Sequence, residues 1–204
     1  GLELAKLMGL DVAVSLAGGG RGSKRLMWTT RTWCEKFPEQ AEKCFFLIGS
    51  SGGNRFDYPT GDGYKAHKFP TMKTTWKTWD PNRDEHTKSF TKYLFRAGMD
   101  LDQTTQIEST LALLDLQDYF QNKKYPYVFY NTLSDAKITN EDIKFMFNKI
   151  DNKRFFKPET SHLDHTVANK QECKPGDPHP SVEGHKDWAG QLKEFIDANN
   201  LRTI

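Results

Sequence analysis

The sequence predicts an α/β fold in which a mostly parallel sheet is flanked by helices. Three short apolar runs are typical of buried strands, and they lie at residues 11–16 (DVAVSL), 44–49 (CFFLIG) and 125–131 (YPYVFYN). Segments with the helical spacing of apolar residues alternate with these runs, which favours a parallel sheet with helices on both faces. The 204 residues show no internal repeat or linker, so we expect a single domain over 1–204.

The remaining elements are predicted from the same periodicity. Apolar residues recur at helical spacing in six segments, which are 1–10, 24–37, 84–97, 101–120, 139–150 and 181–196. Residues 55–83 are rich in aromatic residues and lack periodicity. They predict a long loop that serves as a functional cover or as a binding element. The polar stretch 151–174 predicts irregular structure leading to the last helix.

Charge and cysteine content argue against several classes of function. Lys and Arg (29) exceed Asp and Glu (27) by only two. The chain therefore lacks the excess of positive charge that attracts nucleic acid or an anionic membrane. No apolar run is long enough to span a membrane. Three cysteines, an odd number, predict reduced thiols in a reducing compartment, and we expect a cytoplasmic protein. His162, His165 and Cys173 form a loose group without the fourth ligand of a zinc site.

The first of two glycine-rich segments spans residues 15–26 and follows a predicted strand. Such a loop, at the start of a helix, is a natural anion nest because its backbone N–H groups are free. Its spacing does not fit a Walker A motif and fits a dinucleotide fingerprint poorly. One hypothesis is a phosphate or nucleotide site at Gly18 to Ser23, with Lys24, Arg25 and Arg55 as cations. The alternative is a loop needed only for a tight strand-to-helix turn.

The second glycine-rich segment, residues 48–55, also follows a predicted strand and ends in Asn54 and Arg55. Both segments are therefore expected at the carboxyl edge of the sheet, where open α/β folds place their sites. The Asn54 amide is a donor suited to stabilising a developing oxyanion, and Arg55 adds a charged donor nearby. Ordinary turn chemistry is the alternative for Asn54.

A third segment places Asp177 two residues before His179, between Pro178 and Pro180. The prolines restrict this loop to few shapes, and Ser181 is suited to cap the helix that follows. A histidine held beside a carboxylate just before a helix is a way to orient a general base. A polar turn that only caps the last helix is the alternative.

In this order the three segments resemble blocks of the SGNH, or GDSL-like, hydrolases, especially the short divergent members found in tailed phages. The resemblance implies a flavodoxin-like three-layer sandwich and places Gly20 and Asn54 in an oxyanion hole. It also makes Asp177 and His179 the acid–base pair, although their spacing is one residue shorter than usual and Arg55 replaces an acidic residue. The block that carries the nucleophilic serine is absent, so we expect a domain whose first strand precedes Gly1.

The resemblance implies an ester hydrolase, mechanistically a serine esterase, with a carbohydrate O-deacetylase as one form of it. The implied partner is a small-molecule or carbohydrate ester, with no metal or organic cofactor, no nucleic acid and no membrane. Two alternatives stay open: an inactive SGNH-like virion or interaction protein, and the phosphate- or nucleotide-binding protein described above. A phage-encoded member is expected in the host cytoplasm or in the virion.

Overall fold

The protein has a mixed α/β architecture built around a small parallel sheet of three strands. The structure, a computed structural model, describes residues 1–16, 22–51, 55–60, 75–79, 85–133, 138 and 140–202. The helices in these ranges are α1 (Leu2–Leu7), α2 (Ser23–Lys36), α3 (Pro38–Ala41), α4 (Glu85–Arg96), α5 (Leu101–Lys123), α6 (Glu141–Phe147), α7 (His162–Ala168) and α8 (Val182–Ala198). The strands are β1 (Phe46–Ser50), β2 (Phe56–Thr60), β3 (Thr75–Trp79), β4 (Tyr127–Asn131), β5 (Phe155–Ser161), β6 (Glu172–Lys174) and β7 (Asp177–Pro180).

The main sheet has the strand order β1-β4-β5, and both pairings are parallel. The register of β1 on β4 is regular and ends with Ser50 opposite Asn131. On the other side, β5 pairs through Phe155 and Phe156 and then leaves the ladder until Ser161 faces Asn131. The carboxyl ends of all three strands therefore meet at one edge. Two antiparallel pairs, β2–β3 and β6–β7, lie outside this sheet.

Two clusters of buried side chains form the main core. Because successive strand residues point to opposite faces, alternate residues of β1 and β4 enter different clusters. The first cluster joins the sheet to α2 and α5, and it includes Trp33, Phe46, Ile48, Leu116, Phe120, Tyr127 and Phe129. The second joins the sheet to α1 and α8, and it includes Leu4, Met8, Val128, Phe156, Trp188, Leu192 and Ile196.

The predicted α/β class and most of the predicted elements are confirmed. The apolar runs at 44–49 and 125–131 form β1 and β4, and the predicted helices are present with ends shifted by a few residues. Ser181 caps α8 as expected, since its Oγ accepts a hydrogen bond from the Gly184 N–H at 3.1 Å.

Three predictions about local structure were wrong. Residues 11–16 form no strand; they have no ladder partner within the described residues, and Val12 and Val14 are exposed. The predicted loop at 55–83 contains the β2–β3 pair. The stretch 151–174 is ordered as β5, α7 and β6, and α7 begins with a capping box between Ser161 and Asp164.

Gly49 is the position in β1 where packing leaves no room for a side chain. A Cβ atom there would lie 2.5 Å from Thr132 Cγ2 and 2.8 Å from the Tyr130 Cζ and hydroxyl oxygen. We expect Gly49→Ala to lower the free energy of unfolding by about 1–3 kcal/mol, because these half-buried neighbours have to shift. Urea denaturation measures this difference.

The matched control is Gly190→Ala in α8, where a Cβ would meet nothing within 4 Å. Alanine is the better helix former by about 1 kcal/mol, so this variant should be neutral or more stable. Equal destabilisation by the two substitutions would contradict the close packing at Gly49.

Candidate functional site

Asp177 and His179 form a direct hydrogen bond in the β6–β7 hairpin. The His179 Nδ1 lies 2.5 Å from the Asp177 Oδ1, and the His179 backbone N–H donates to the same oxygen at 3.2 Å. Both residues belong to β7, and residues i and i+2 of a strand share a face. The spacing of two therefore still allows the carboxylate to meet the ring.

The electrostatics of the pair follow from these contacts. Hydrogen bonds from the His179 ring and then from its backbone N–H lower the pKa of Asp177 below its ordinary value. Lys174, on the neighbouring strand, has its Nζ 4.0 Å from the other carboxylate oxygen. The carboxylate is therefore charged at neutral pH and orients the imidazole through Nδ1.

The second nitrogen of His179 remains available for chemistry. The His179 side chain is 83% exposed, and within the described residues its ring makes no hydrogen bond other than that to Asp177. When Nδ1 carries the proton shared with the carboxylate, Nε2 presents a lone pair to solvent. This is the arrangement of a general base before its nucleophile or substrate arrives.

A second histidine–carboxylate pair, which the sequence reasoning missed, has the opposite character. His165 of α7 places its Nε2 2.8 Å from the Asp187 Oδ2 in α8, and the Asn169 amide nitrogen lies 3.3 Å from its Nδ1. Gln171 and Gln191 also donate to Asp187. Together with the His165 contact, these amide donors lower the pKa of Asp187 to about 2. Both nitrogens of the His165 ring are occupied, so this pair fastens α7 to α8.

His162 and Cys173, two members of the loose group predicted with His165, have other contacts in the structure. His162 instead stacks on Trp188, with ring centroids 4.9 Å apart and planes inclined by 16°. The exposed Cys173 thiol donates to the Pro180 carbonyl at 3.1 Å. In the part of the chain that the structure covers, no cluster of three His, Cys, Asp or Glu residues could hold a metal ion.

The start of α2 brings the two glycine-rich segments together. Gly22 is the N-cap of α2, and a Cβ at Gly22 would lie 2.6 Å from the Arg55 carbonyl oxygen. The carboxylate of Asp57, which is 1% exposed, accepts a hydrogen bond from the Arg25 N–H at 3.2 Å. A helix N-terminus favours an anion, and here a protein carboxylate takes that position.

This placement of Asp57 disfavours the phosphate site predicted at Gly18 to Ser23. One of the cations expected there, Lys24, is also engaged, since it pairs with Glu108 at 2.5 Å. Gly20 and Asn54, the predicted oxyanion donors, lie outside the described residues. The hydrogen bonds and ion pairs described for Asp177 and His179 stay within the β6–β7 hairpin.

The carboxyl edge of the sheet carries two buried polar atoms that the sequence did not single out. Ser51 follows β1 and Asn131 ends β4, and within the described structure the Ser51 Oγ and Asn131 Oδ1 have no hydrogen-bond partner. The Asn131 amide is oriented by its Nδ2, which donates to the Pro158 carbonyl at 3.0 Å. Unpaired buried polar atoms are uncommon. Ser51 lies on the strand end that leads to Asn54.

Comparison with known proteins gives a match over almost the whole chain. A model described as a family of unknown function, DUF6071, matches residues 1–203. The chain belongs to DUF6071. Neither the curated proteins nor the solved structures gave a significant match. No described helix of this DUF6071 member combines the length and apolar character needed to cross a bilayer.

Asp57 provides a test of the α2 N-terminus. Asp57→Asn keeps the shape of the side chain but removes its charge and places an amide beside a buried helix N–H group. We expect a loss of about 1–3 kcal/mol in the free energy of unfolding. Asp100→Asn is the control, since the exposed Asp100 caps α5 through the Gln103 N–H and Asn is an equally good cap. Comparable stability of the two variants would contradict a special role for Asp57.

The hydrogen bond within the Asp177–His179 pair can be measured through the carboxylate. His179→Ala removes the largest cause of the lowered Asp177 pKa and leaves the backbone N–H in place. The pKa of Asp177 should therefore rise toward its ordinary value of 3.8, which a carbon-detected NMR titration of the side-chain carboxyl would show. His165→Ala should leave it unchanged, and an unchanged Asp177 pKa in His179→Ala would argue against the contact.

Proposed function

We propose that this DUF6071 member is an ester hydrolase of the SGNH type in which His179 is the general base. The observation that carries the proposal is the 2.5 Å bond between the His179 Nδ1 and Asp177, with the opposite ring nitrogen exposed. The contrast with His165 supports it, because the same chain contains a histidine–carboxylate pair whose ring is fully engaged. His179 is thus the base that can reach a substrate.

The reaction follows from these roles. A serine hydroxyl attacks the ester carbonyl carbon while the His179 Nε2 takes its proton, and Asp177 stabilises the resulting imidazolium. The tetrahedral intermediate collapses as the carbon–oxygen bond to the alcohol breaks, and His179 returns the proton to that leaving oxygen. Water then attacks the acyl-serine, with His179 as base, releasing the carboxylic acid and restoring the serine.

The oxyanion hole of this proposal is the Gly20 N–H together with the Asn54 amide. Support comes from their neighbours: Gly22 and Arg55 are in contact, so the two glycine-rich segments approach each other. Arg55 would add a charged donor on the substrate side. Loss of one such donor costs about 3 kcal/mol of barrier in enzymes of this mechanism.

The nucleophile in this proposal is a serine encoded before Gly1, at the end of a strand placed beside β1. That strand would extend the described sheet toward the SGNH three-layer sandwich. Support comes from β1, whose two faces both contribute to core clusters although it is an edge strand of the described sheet. Coverage of both faces is typical of strands in the interior of a parallel α/β sheet.

The substrate we propose is a small acyl ester, with O-acetylated carbohydrate as the favoured class. The aromatic composition of residues 55–83 supports this choice, because flat rings suit the faces of sugars.

A second candidate is a non-enzymatic SGNH-like protein of a virion or an interaction complex. The observation that favours it is that no described serine hydroxyl is hydrogen-bonded to His179.

The two candidates differ in turnover of an acetyl ester by a chain that includes the residues encoded before Gly1. We expect p-nitrophenyl acetate and acetylated xylan to be hydrolysed, with kcat/KM reduced about 1,000-fold or more in His179→Ala and Asp177→Asn. The control His165→Gln alters the other pair and should retain activity if it folds. Turnover that survives His179→Ala would refute the role of His179, and its absence in the native protein would favour the non-enzymatic candidate.

A further inference from the structure

His162 lies where α7, α8 and the β6–β7 hairpin meet. It is the first residue of α7, and its ring lies between Trp188, on which it stacks, and His185, whose ring centroid is 5.2 Å away. His185 belongs to the first turn of α8, so this ring contact joins the start of α7 to the start of α8. The His162 Nε2 is buried and has no partner within the described structure.

The first turn of α8 is also the attachment point of the hairpin. The Ser181 N–H donates to the Gln171 carbonyl at 2.7 Å, which joins the end of β7 to the start of β6. Gly184 packs closely against the same region, since a Cβ there would lie 3.0 Å from the Gln171 carbonyl oxygen and 3.4 Å from the Pro180 Cβ. His162 therefore supports the turn that follows His179 by a few residues.

We propose that His162 is a proton-sensitive lock: its neutral ring holds the first turn of α8 and the β6–β7 hairpin in place, and a proton on that ring releases them. The reason is steric and electrostatic. A proton on Nε2 creates a buried charged donor with no acceptor, and such a group is costly until the joint opens and water reaches it. The opening itself does not depend on any activity, whereas its consequence for catalysis rests on the proposed hydrolase function.

Charged and titratable groups from the neighbouring elements surround the rings of His162, His185 and Trp188 and change how readily His162 takes up a proton. His185 of α8 and His165 of α7 disfavour a positive charge on His162. Glu3 of α1 favours a charged His185, and the Lys157 ammonium of β5 lies 5.8 Å from the Trp188 ring. The face of the stacked Trp188 ring attracts a cation and so favours a protonated His162. Burial has the larger effect, and together with the neighbouring imidazoles it lowers the pKa of His162 to about 4.

The pH range follows from the sign of this change. A histidine whose pKa is lowered in the closed state and ordinary, at 6.5, in the open state stabilises the closed state fully above pH 6.5. That stabilisation is lost progressively as the pH falls from 6.5 toward 4. Between pH 7.5 and pH 5.0 the opening equilibrium should rise about 30-fold.

Amide hydrogen exchange of the native chain tests the lock without an activity assay. Between pH 7.5 and 5.0, the protection factors of Ser181, Gly184 and His185 should fall about 30-fold, while that of Val128 in the central strand should change much less. In His162→Gln the dependence at the three amides should disappear. His162→Phe, which keeps the stacked ring, gives the same test if the glutamine variant does not fold.

Two results would overturn the proposal. Equal loss of protection at Val128 and at the α8 amides would show that acid destabilises the whole fold. Retained pH dependence in both His162 variants would assign the effect to another group, such as His185. If the native protein hydrolyses acetyl esters, its activity should fall more steeply over this range than that of the His162→Gln variant. Absence of all hydrolysis would count against the proposed function and leave the exchange result standing.

Discussion

The parallel pairing of β4 with both of its neighbours is the constraint on which the rest of the structure depends. Four of the five residues of β4 are buried, and its alternate side chains feed the two core clusters. Thr132, just beyond the strand, fixes the relative position of the strand ends: its N–H and hydroxyl both donate to the Ser50 carbonyl, and its carbonyl accepts from the Leu163 N–H. The end of β1 and the start of α7 are thereby held at one edge, so α7 is placed by the sheet.

The hairpin that carries Asp177 and His179 depends on the position of α7 only indirectly. It belongs to a separate two-stranded sheet and is attached through α7, Gln171 and the first turn of α8. Asp187 strengthens this attachment by binding side chains from α7, from Gln171 and from α8 itself. The hydrogen bonds of Asp187 therefore stabilise the base of the hairpin. Pro175 and Gly176 at its tip and the His179 ring are exposed.

The sequence predicted elements well where one short segment contains all the information that determines it. The run at 125–131 is apolar along its length because β4 is covered on both faces, and Ser181 before an amphipathic segment specifies the start of α8. Prediction failed where the partner is distant. Only Phe155 and Phe156 of β5 are apolar and buried before the strand leaves the ladder. The run at 11–16 has strand composition, yet a strand also needs a neighbour to receive its hydrogen bonds.

The same distinction applies to the candidate site. The contact between Asp177 and His179 was predictable because both residues lie on one strand face. The pair of His165 and Asp187 was not, since 22 residues separate them and only the packing of α7 on α8 brings them together. Asp57 likewise reaches the N-terminus of α2 across 32 residues. A pattern in sequence can show that an acid and a histidine are near each other, but it cannot show what the other ring nitrogen contacts. For His165 that nitrogen lies beside Asn169, and for His179 it faces solvent. This difference, more than the length of either hydrogen bond, separates a structural histidine from a candidate base.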